Sequence, residues 1–183
     1  MKLHLGCGRR YLKGFVHIDL ADFEHIDYKA PINDLSNFVT SSVTEIYCSH
    51  AFEYFDRNEA PRVLNEWRRV LKNEGRLYLV VPDFDRIIQI YLQTRMLPDV
   101  LGPLFGRWKL NDDFIYHRTV WNENDLISSL QEAGFHKVKR FSPEDYLSRI
   151  DLNYDDHSLA YFPHMDKNGI PFSLALVAES QGV

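Results

Sequence analysis

The chain has 183 residues, of which 45% are hydrophobic and 26% are charged. This length suits one domain with a single core, residues 1–183, and no apolar run approaches the roughly 20 residues that span a bilayer. Because 26 acidic residues outnumber 21 basic ones, the net charge of −5 argues against a broad phosphate-binding face. We therefore predict a cytoplasmic protein without a signal peptide, whose partner is a small-molecule substrate and neither a nucleic acid nor a membrane. Its two cysteines, Cys7 and Cys48, suit a reducing compartment.

The first segment, Lys2 to Asp19, has the pattern of a nucleotide-binding corner. Apolar residues alternate over residues 3–5, which predicts a buried strand, and Gly6-Cys7-Gly8 follows as a tight turn. A side chain at either glycine would obstruct the approach of a ligand to the backbone. A second strand ends in Asp19, whose carboxylate can accept both hydroxyls of a ribose at the sheet edge. A plain tight turn followed by a solvated aspartate is the alternative interpretation of these residues alone.

The segment that follows contributes two further strand ends. A polar connection holds a short third strand, predicted near residues 29–32, and closes at Asp34-Leu35. The β-rich run from Thr44 to Ser49 predicts a fourth strand beside the first, and a helix begins at His50. His50 and Glu53 are three residues apart, which places them on one side of a helical turn that faces the corner. No other His or Cys has a spacing that completes a metal site with this pair, so we predict no metal.

Three helical patterns follow from residue 60 onward. The first starts at Ala60 with Asn58 as its cap, runs to the Asn73-Glu74-Gly75 stop and feeds a strand at residues 77–81. The second is capped by Asp85, and its predicted buried side consists of Ile87, Ile88, Tyr91 and Leu92. The third opens with a capping box at Asn122 and ends at Gly134. Strands at residues 135–141 and 171–179 then close the sheet.

Two stretches interrupt this pattern. Residues 97–121 contain prolines, glycines and aromatic residues without a steady period, which predicts an irregular insertion that covers the acceptor as a lid. Residues 142–169 predict a second irregular insertion. It holds Asp155, Asp156, His157 and His164, which fit either a pocket wall or an ordinary polar excursion between two strands.

Taken together, LHLGCG, FVHIDL, EIYCSHAFEYF, EAPRVLNEWRRVLKNEGRLYLVVPDF and WNENDLISSLQEAGF resemble the class I S-adenosylmethionine-dependent methyltransferases. The resemblance covers most of residues 2–141 and is greatest to small methyltransferases of the type 11 group, which have a short first crossover. It implies a doubly wound, Rossmann-like α/β fold whose seven-stranded sheet is mostly parallel, with an antiparallel last strand. In two places the chain departs from the family: His4 replaces the usual acid before the first glycine, and Arg10 replaces the usual third glycine.

The resemblance implies S-adenosylmethionine as the cofactor. The residues that it assigns to cofactor binding are Gly6, Cys7, Gly8, Asp19, Leu20, Asp34, Leu35, Ser49 and His50. Among these, Asp34 would accept a hydrogen bond from the adenine amine and Leu35 would cover the ring, while a turn-capping role is the alternative for Asp34. Only 12 residues separate Gly6 from Asp19, too few for a full crossover helix. We therefore expect an open corner, with Arg9 and Arg10 near the cofactor carboxylate.

The function that the resemblance implies is in-line transfer of a methyl group to a small-molecule acceptor. An oxygen or nitrogen acceptor has to lose a proton, and His50 and His117 are the candidate bases, because neutral imidazole accepts a proton near pH 7. A purely structural role stays open for each. Three other functions also stay open: a catalytically degenerate fold that serves as a binding or assembly module, a nicotinamide-dependent oxidoreductase, and an aminopropyl-type transferase that uses a decarboxylated cofactor. The chain is expected to be a monomer or a homodimer.

Overall fold

The computed structural model describes residues 1–110, 112–150, 160–163, 166 and 168–181. The strands of these residues are β1 (Lys2–Leu5), β2 (Val16–Asp19), β3 (Tyr28–Lys29), β4 (Val43–Ser49), β5 (Leu71–Pro82), β6 (Trp108–Leu110), β7 (Asp113–Ile115), β8 (Phe135–Arg140), β9 (Tyr161–Phe162), β10 (Ile170–Pro171) and β11 (Ser173–Ser180). The helices are a 3-10 turn (Phe52–Tyr54), α1 (Ala60–Val70), α2 (Phe84–Thr94), α3 (Pro98–Phe105), α4 (Glu123–Glu132) and α5 (Pro143–Ser148). None of these helices combines the length and apolar character that crossing a bilayer requires.

Seven of the strands form one sheet in the order β3-β2-β1-β4-β5-β11-β8. The pairs from β3 to β5 are parallel, whereas β11 runs antiparallel to both β5 and β8. The predicted fold class, a seven-stranded and mostly parallel sheet with an antiparallel last strand, is confirmed. The strand order reverses direction between β1 and β4, which is the point where doubly wound sheets open a crevice for ligands.

One face of the sheet carries the main core. The apolar spacing of α1 turns Val63, Leu64 and Trp67 toward the sheet, where all three are buried. The indole N–H of Trp67 donates to the carbonyl of Ile32 at 2.7 Å, so the ring belongs to the core, as expected. Helix α4 covers the same face with Leu126 and Leu130.

The other face is covered by much smaller elements, because the first crossover is too short to form a helix. Leu12 and Phe15 from the β1–β2 connection pack here with Leu147 of α5. The backbone N–H of Leu12 donates to His17 Nε2 at 2.9 Å, which fixes the turn without helical hydrogen bonds. A tight turn and a six-residue helix therefore take the place of full crossover helices on this side.

Several local predictions about α1 and α2 were wrong. Asp56, and not Asn58, precedes α1 as the capping side chain: its Oδ1 accepts from the N–H groups of Asn58 and Glu59. Glu59 Oε2 accepts in return from the Asp56 N–H, which completes a reciprocal box. Helix α1 also ends at Val70, earlier than predicted, because β5 already begins at Leu71.

The predicted cap of α2 lies two residues too far along the chain. Asp83 caps it and accepts from the backbone N–H of Asp85, which had been assigned the capping role. The true buried stripe is Ile87 and Ile90, while the side chains of Ile88 and Leu92 point to solvent. At α4 the predicted cap is confirmed, since Asn122 Oδ1 accepts from the Asp125 N–H at 2.9 Å.

The stretch from residue 97 to residue 121, called the lid segment below, is more regular than predicted. It contains α3 and the β6–β7 hairpin, and Val100 anchors α3 in a small core with Ile87 and Phe172. The second predicted insertion, residues 142–169, begins with α5 and contains β9. Asp155, Asp156, His157 and His164 lie outside the described residues.

Candidate active site

The glycine turn after β1 lies beside the end of β4. Gly6 has a φ of +62°, and a Cβ atom at this position would overlap the Cβ of Ala51. Gly8 has a φ of +53°, and the nearest atom to a Cβ there would be the tip of the Trp108 ring, 3.9 Å away. The turn therefore needs glycine for two reasons: the left-handed backbone, and the close approach of the next strand end.

Asp19, at the end of β2, ties this turn together. Its Oδ2 accepts from the backbone N–H of Gly8 at 2.8 Å, and its Oδ1 accepts from the N–H of Ala21 at 2.7 Å. A carboxylate has about four acceptor positions, so both oxygens retain a lone pair for further donors. Leu20 follows directly and is 42% exposed, which leaves an apolar surface next to the carboxylate.

Ser49 and Cys7 bring two more side chains to the corner. Ser49 ends β4 next to Gly6, and its buried hydroxyl has no hydrogen-bond partner among the described residues. A buried polar atom without a partner is uncommon and indicates a place for a ligand atom. Cys7 is buried, and burial together with the charge of Asp19 raises the pKa of its thiol to about 12. The thiol is therefore neutral and contributes through packing and not through charge.

The two residues assigned to the adenine differ in their surroundings. Leu35 has no exposed surface, and its N–H donates to Glu66 at 2.9 Å. Its side chain lies in the main core, and the contact of Leu35 with the adenine ring stays a prediction. Asp34 is exposed and accepts from the N–H of Ser36, and hydrogen bonding by Ser36 lowers its pKa. Asp34 therefore caps this turn, as the alternative interpretation holds, and its contact with adenine stays a prediction.

His4 does not lie in the corner, although it precedes the glycines by only two residues. Strand alternation sends Leu3 and Leu5 to the main core and His4 to the opposite face, where its ring meets His17 and Tyr47. Burial lowers the pKa of His4 well below its ordinary value. His4 is thus a neutral core residue and not a substitute for the missing acid.

The two arginines of the short crossover had been expected to reach the cofactor carboxylate. The Arg9 guanidinium lies over the ring of Phe23, 5.9 Å from its centroid. Arg10 donates its backbone N–H to the Cys7 carbonyl at 3.0 Å. A role for either side chain toward a cofactor stays a prediction.

Three side chains from two parts of the chain meet behind the corner. His50 Nδ1 lies 3.5 Å from Glu53 Oε1, and His117 Nε2 lies 3.6 Å from the same oxygen. On its other side, His50 Nε2 lies 3.0 Å from the hydroxyl of Ser173, at the start of β11. The backbone of His50 has a φ of +53°, a costly conformation for a residue with a side chain. Strain of this kind tends to occur at functional sites.

The lid segment brings His117 to this cluster through backbone hydrogen bonds. The His117 N–H donates to the carbonyl of Phe105 at 2.7 Å, and the Arg118 N–H donates to the carbonyl of Glu53 at 2.9 Å. The imidazole packs against Gly106, where any side chain would overlap it, and meets the edge of the Tyr54 ring. Burial lowers the pKa of His117, and this effect exceeds the opposite effect of Glu53.

The structure thus unites His50 and His117, both predicted from sequence, and adds partners that were missed. The i, i+3 spacing indicated that Glu53 lies near His50, but nothing in the sequence indicated that Glu53 also faces His117. Ser173 is 123 positions from His50, and no sequence pattern indicated that the two residues would meet. Within the described residues, no group of three or more His, Cys, Asp or Glu side chains is arranged to hold a metal ion.

Comparison with known proteins agrees with the fold. Residues 7–79 match the family described as a methyltransferase domain. Over the whole chain, the fold resembles a SAM-dependent methyltransferase from Methanosarcina mazei (TM-score 0.58, 16% identity, covering 100% of this chain and 92% of that one). It also resembles one from Archaeoglobus fulgidus (TM-score 0.57, 14% identity, 98% and 85%).

A third similar structure contains ligands. It is the Burkholderia thailandensis 1,6-didemethyltoxoflavin-N1-methyltransferase, with bound 1,6-didemethyltoxoflavin and S-adenosylhomocysteine (TM-score 0.54, 12% identity, 98% of this chain and 70% of that one). No curated protein sequence matched the chain. At these identities the structural matches establish the fold.

Proposed function

We propose that this chain, which has the fold of the class I S-adenosylmethionine-dependent methyltransferases and carries their methyltransferase domain at residues 7–79, transfers a methyl group from S-adenosylmethionine to a small-molecule acceptor. One observation carries the proposal. The Gly6-Cys7-Gly8 turn is held by the carboxylate of Asp19 at the point where the strand order reverses. This is where doubly wound folds place a nucleotide, and the carboxylate is positioned for ribose hydroxyls.

The residues of the corner fit such a cofactor. The glycines leave the backbone open to it, and Asp19 retains lone pairs for two hydroxyl groups. The unpartnered hydroxyl of Ser49 offers a polar contact beside Gly6, and the exposed Leu20 offers an apolar one. When bound, S-adenosylmethionine supplies a methyl group on a positively charged sulfur that is ready to be displaced in line.

The chain's own contribution is then mostly placement, exclusion of water and removal of a proton. The tip of the Trp108 ring lies near Gly8, which supports a role of the lid segment in limiting access of water to the corner. His50, which follows β4, and His117, which belongs to the lid segment, both lie within 3.6 Å of Glu53 Oε1. We assign acceptor deprotonation to this histidine pair, which supports an oxygen or nitrogen acceptor.

Calorimetry with S-adenosylhomocysteine and S-adenosylmethionine tests the cofactor assignment. Asp19→Ala should weaken binding about tenfold or more, because hydrogen bonds to a charged acceptor contribute roughly 1.5 to 3 kcal/mol. Asp22→Ala is the matched control, since Asp22 is also in this loop but its side chain is 86% exposed. Its affinity should equal that of the wild type.

Two outcomes would contradict the proposal. No heat and no thermal shift at millimolar cofactor, together with a clear response to NAD, would favour the oxidoreductase alternative. Equal affinities of the Asp19 and Asp22 variants would remove Asp19 from the ribose site. Mass spectrometry of any small molecule that copurifies with the protein gives an independent identification of the ligand.

A further inference from the structure

Glu53 is a buried carboxylate without conventional hydrogen bonds in the described structure. Its side chain is 1% exposed, and neither carboxylate oxygen has a hydrogen-bond partner within the distance of a conventional bond. An ionised carboxylate buried in this way is costly unless donors or positive charge lie close by. The nearest such groups are the two imidazoles, 3.5 Å and 3.6 Å from Oε1.

The remaining titratable groups around Glu53 stay neutral near pH 7. Burial raises the pKa of Tyr54 and of the Cys48 thiol, and the charge of Glu53 raises both further. From β11, the neighbour of the cluster is the uncharged hydroxyl of Ser173. From the lid segment it is His117, which burial keeps neutral by lowering its pKa. Near neutral pH, Tyr54, Cys48 and His117 therefore add no charge beside the Glu53 carboxylate.

The two histidines are not equivalent. The side chain of His117 is 8% exposed, and its Nδ1 is buried without a hydrogen-bond partner in the described structure. The side chain of His50 is 22% exposed, and its Nε2 faces Ser173 at the sheet edge. An acceptor that enters from the corner can therefore reach His50 more easily than His117.

We propose that Glu53 is a positioning residue shared by the two histidines, that His117 is its neutral N–H donor, and that His50 takes the proton of the acceptor at Nε2. In this arrangement Nδ1 of His50 carries a hydrogen directed at Glu53, which leaves Nε2 free to accept. The carboxylate then stabilises the imidazolium that forms. Ser173 holds the Nε2 side of the ring in place between turnovers. The inference rests on the proposed methyl transfer and names its proton path.

The same geometry restricts the acceptor class. A base has a purpose only if the acceptor atom still carries a proton at neutral pH, so the acceptor is a hydroxyl, an N–H group or a thiol and not a carboxylate. As the acceptor atom bonds to the methyl carbon, its proton passes to His50 and the electron pair of the broken carbon–sulfur bond stays on sulfur. The products are the methylated acceptor, S-adenosylhomocysteine and protonated His50.

Nitrogen NMR of the histidine side chains tests the assignment without any acceptor. His50→Gln and His117→Gln identify the two sets of signals. In the wild type, neutral His50 should be the Nδ1–H tautomer and neutral His117 the Nε2–H tautomer. In Glu53→Gln, the fraction of neutral His50 in the Nδ1–H tautomer should fall, because a neutral amide is a weaker acceptor for the Nδ1–H than a carboxylate. Glu132→Gln, which removes a charge from the exposed face of α4, should leave that fraction unchanged.

Each alternative outcome has a definite meaning. An unchanged tautomer fraction of His50 in Glu53→Gln would overturn the assignment. If that variant fails to fold, the wild-type spectrum still decides: neutral His50 as the Nε2–H tautomer, or His117 protonated at pH 7, would overturn it. Calorimetry with S-adenosylhomocysteine separates this proposal from the wider one. Binding without the tautomer signature removes only the role of Glu53, whereas the signature without binding removes methyl transfer and with it the acceptor class.

Discussion

His50 and Gly6 show how single residues shape the corner of this protein. Both have a left-handed backbone, but only one of them is glycine. His50 keeps a conformation that costs energy because it places the imidazole between Glu53 and Ser173, and its N–H is held by the Val80 carbonyl at 2.8 Å. At position 6 only glycine fits, since a Cβ atom there would overlap Ala51 at the end of the neighbouring strand.

A comparison of two glycines tests this view at the residue scale. Gly6→Ala should lower the free energy of unfolding by about 3 kcal/mol, because it combines left-handed strain with overlap of Ala51. Gly14→Ala is matched in backbone, with a φ of +83°, but nothing lies within 4 Å of the added Cβ. It should cost only about 1 to 2 kcal/mol. Urea unfolding measures both, and equal losses would show that the contact with Ala51 relaxes freely.

Among the elements, the lid segment has the most direct effect on the site. Its C-terminal end is held by Arg118, which forms ion pairs with Asp56 and Glu59 near the start of α1. Arg57 reaches the same region, where it donates to the Val120 carbonyl and lies over the ring of Trp121. These ion pairs are exposed, so their role is to hold the position of the lid segment more than to stabilise the fold.

The contact between Trp108 and the glycine turn gives a prediction at the element scale. Trp108→Ala should weaken S-adenosylhomocysteine binding about fivefold, because loss of an aromatic contact costs on the order of 1 kcal/mol. Phe114→Ala, in the opposite strand of the same hairpin, is the control and should leave affinity unchanged, since its ring pairs with Arg107. Calorimetry measures both variants. Tighter binding by Trp108→Ala would mean that the indole blocks the corner and does not close it.

Across the whole molecule, the two faces of the sheet are stabilised differently. The main core is packed by full helices, whereas the opposite face depends on a tight turn, α5 and a group of aromatic rings. His4 and His17 are buried on that second face, and burial lowers the pKa of both. Both histidines therefore make this face sensitive to acid.

The pH dependence of stability follows from the sign of these shifts. A histidine whose folded-state pKa lies below the ordinary 6.5 binds its proton first in the unfolded chain. Its contribution to stability is complete above pH 6.5 and is lost as the pH falls from there through the folded-state pKa. His4→Leu should reduce the slope of unfolding free energy against pH, between pH 6.5 and 5, by about 1.4 kcal/mol per pH unit at most. Urea unfolding at several pH values measures the slope, and an unchanged slope would contradict the assignment of His4 as a neutral core residue.

What the sequence alone determined is the part of the protein that local patterns encode. The apolar spacing of α1, the alternation in β1, the Asn122 cap and the glycine turn before Asp19 each involve residues close together in the chain. For these the backbone geometry follows from hydrogen bonding and periodicity over a few positions. Together with the family resemblance, these patterns were enough to predict the fold class and the position of the corner. The predicted fold class agrees with the solved structures, and the family resemblance agrees with the methyltransferase-domain match at residues 7–79.

Only the tertiary structure decided which of several plausible side chains meet. Leu35, which was expected to cover a ligand, has its side chain in the core, because α1 packs against it. His4 was placed on the second face by strand alternation, and the short crossover then closed over it. The site itself depends on contacts across great chain distance: Glu53 with His117, and His50 with Ser173. Such contacts arise from the strand order and from the path of the lid segment. Neither of these can be predicted from a local pattern of residues.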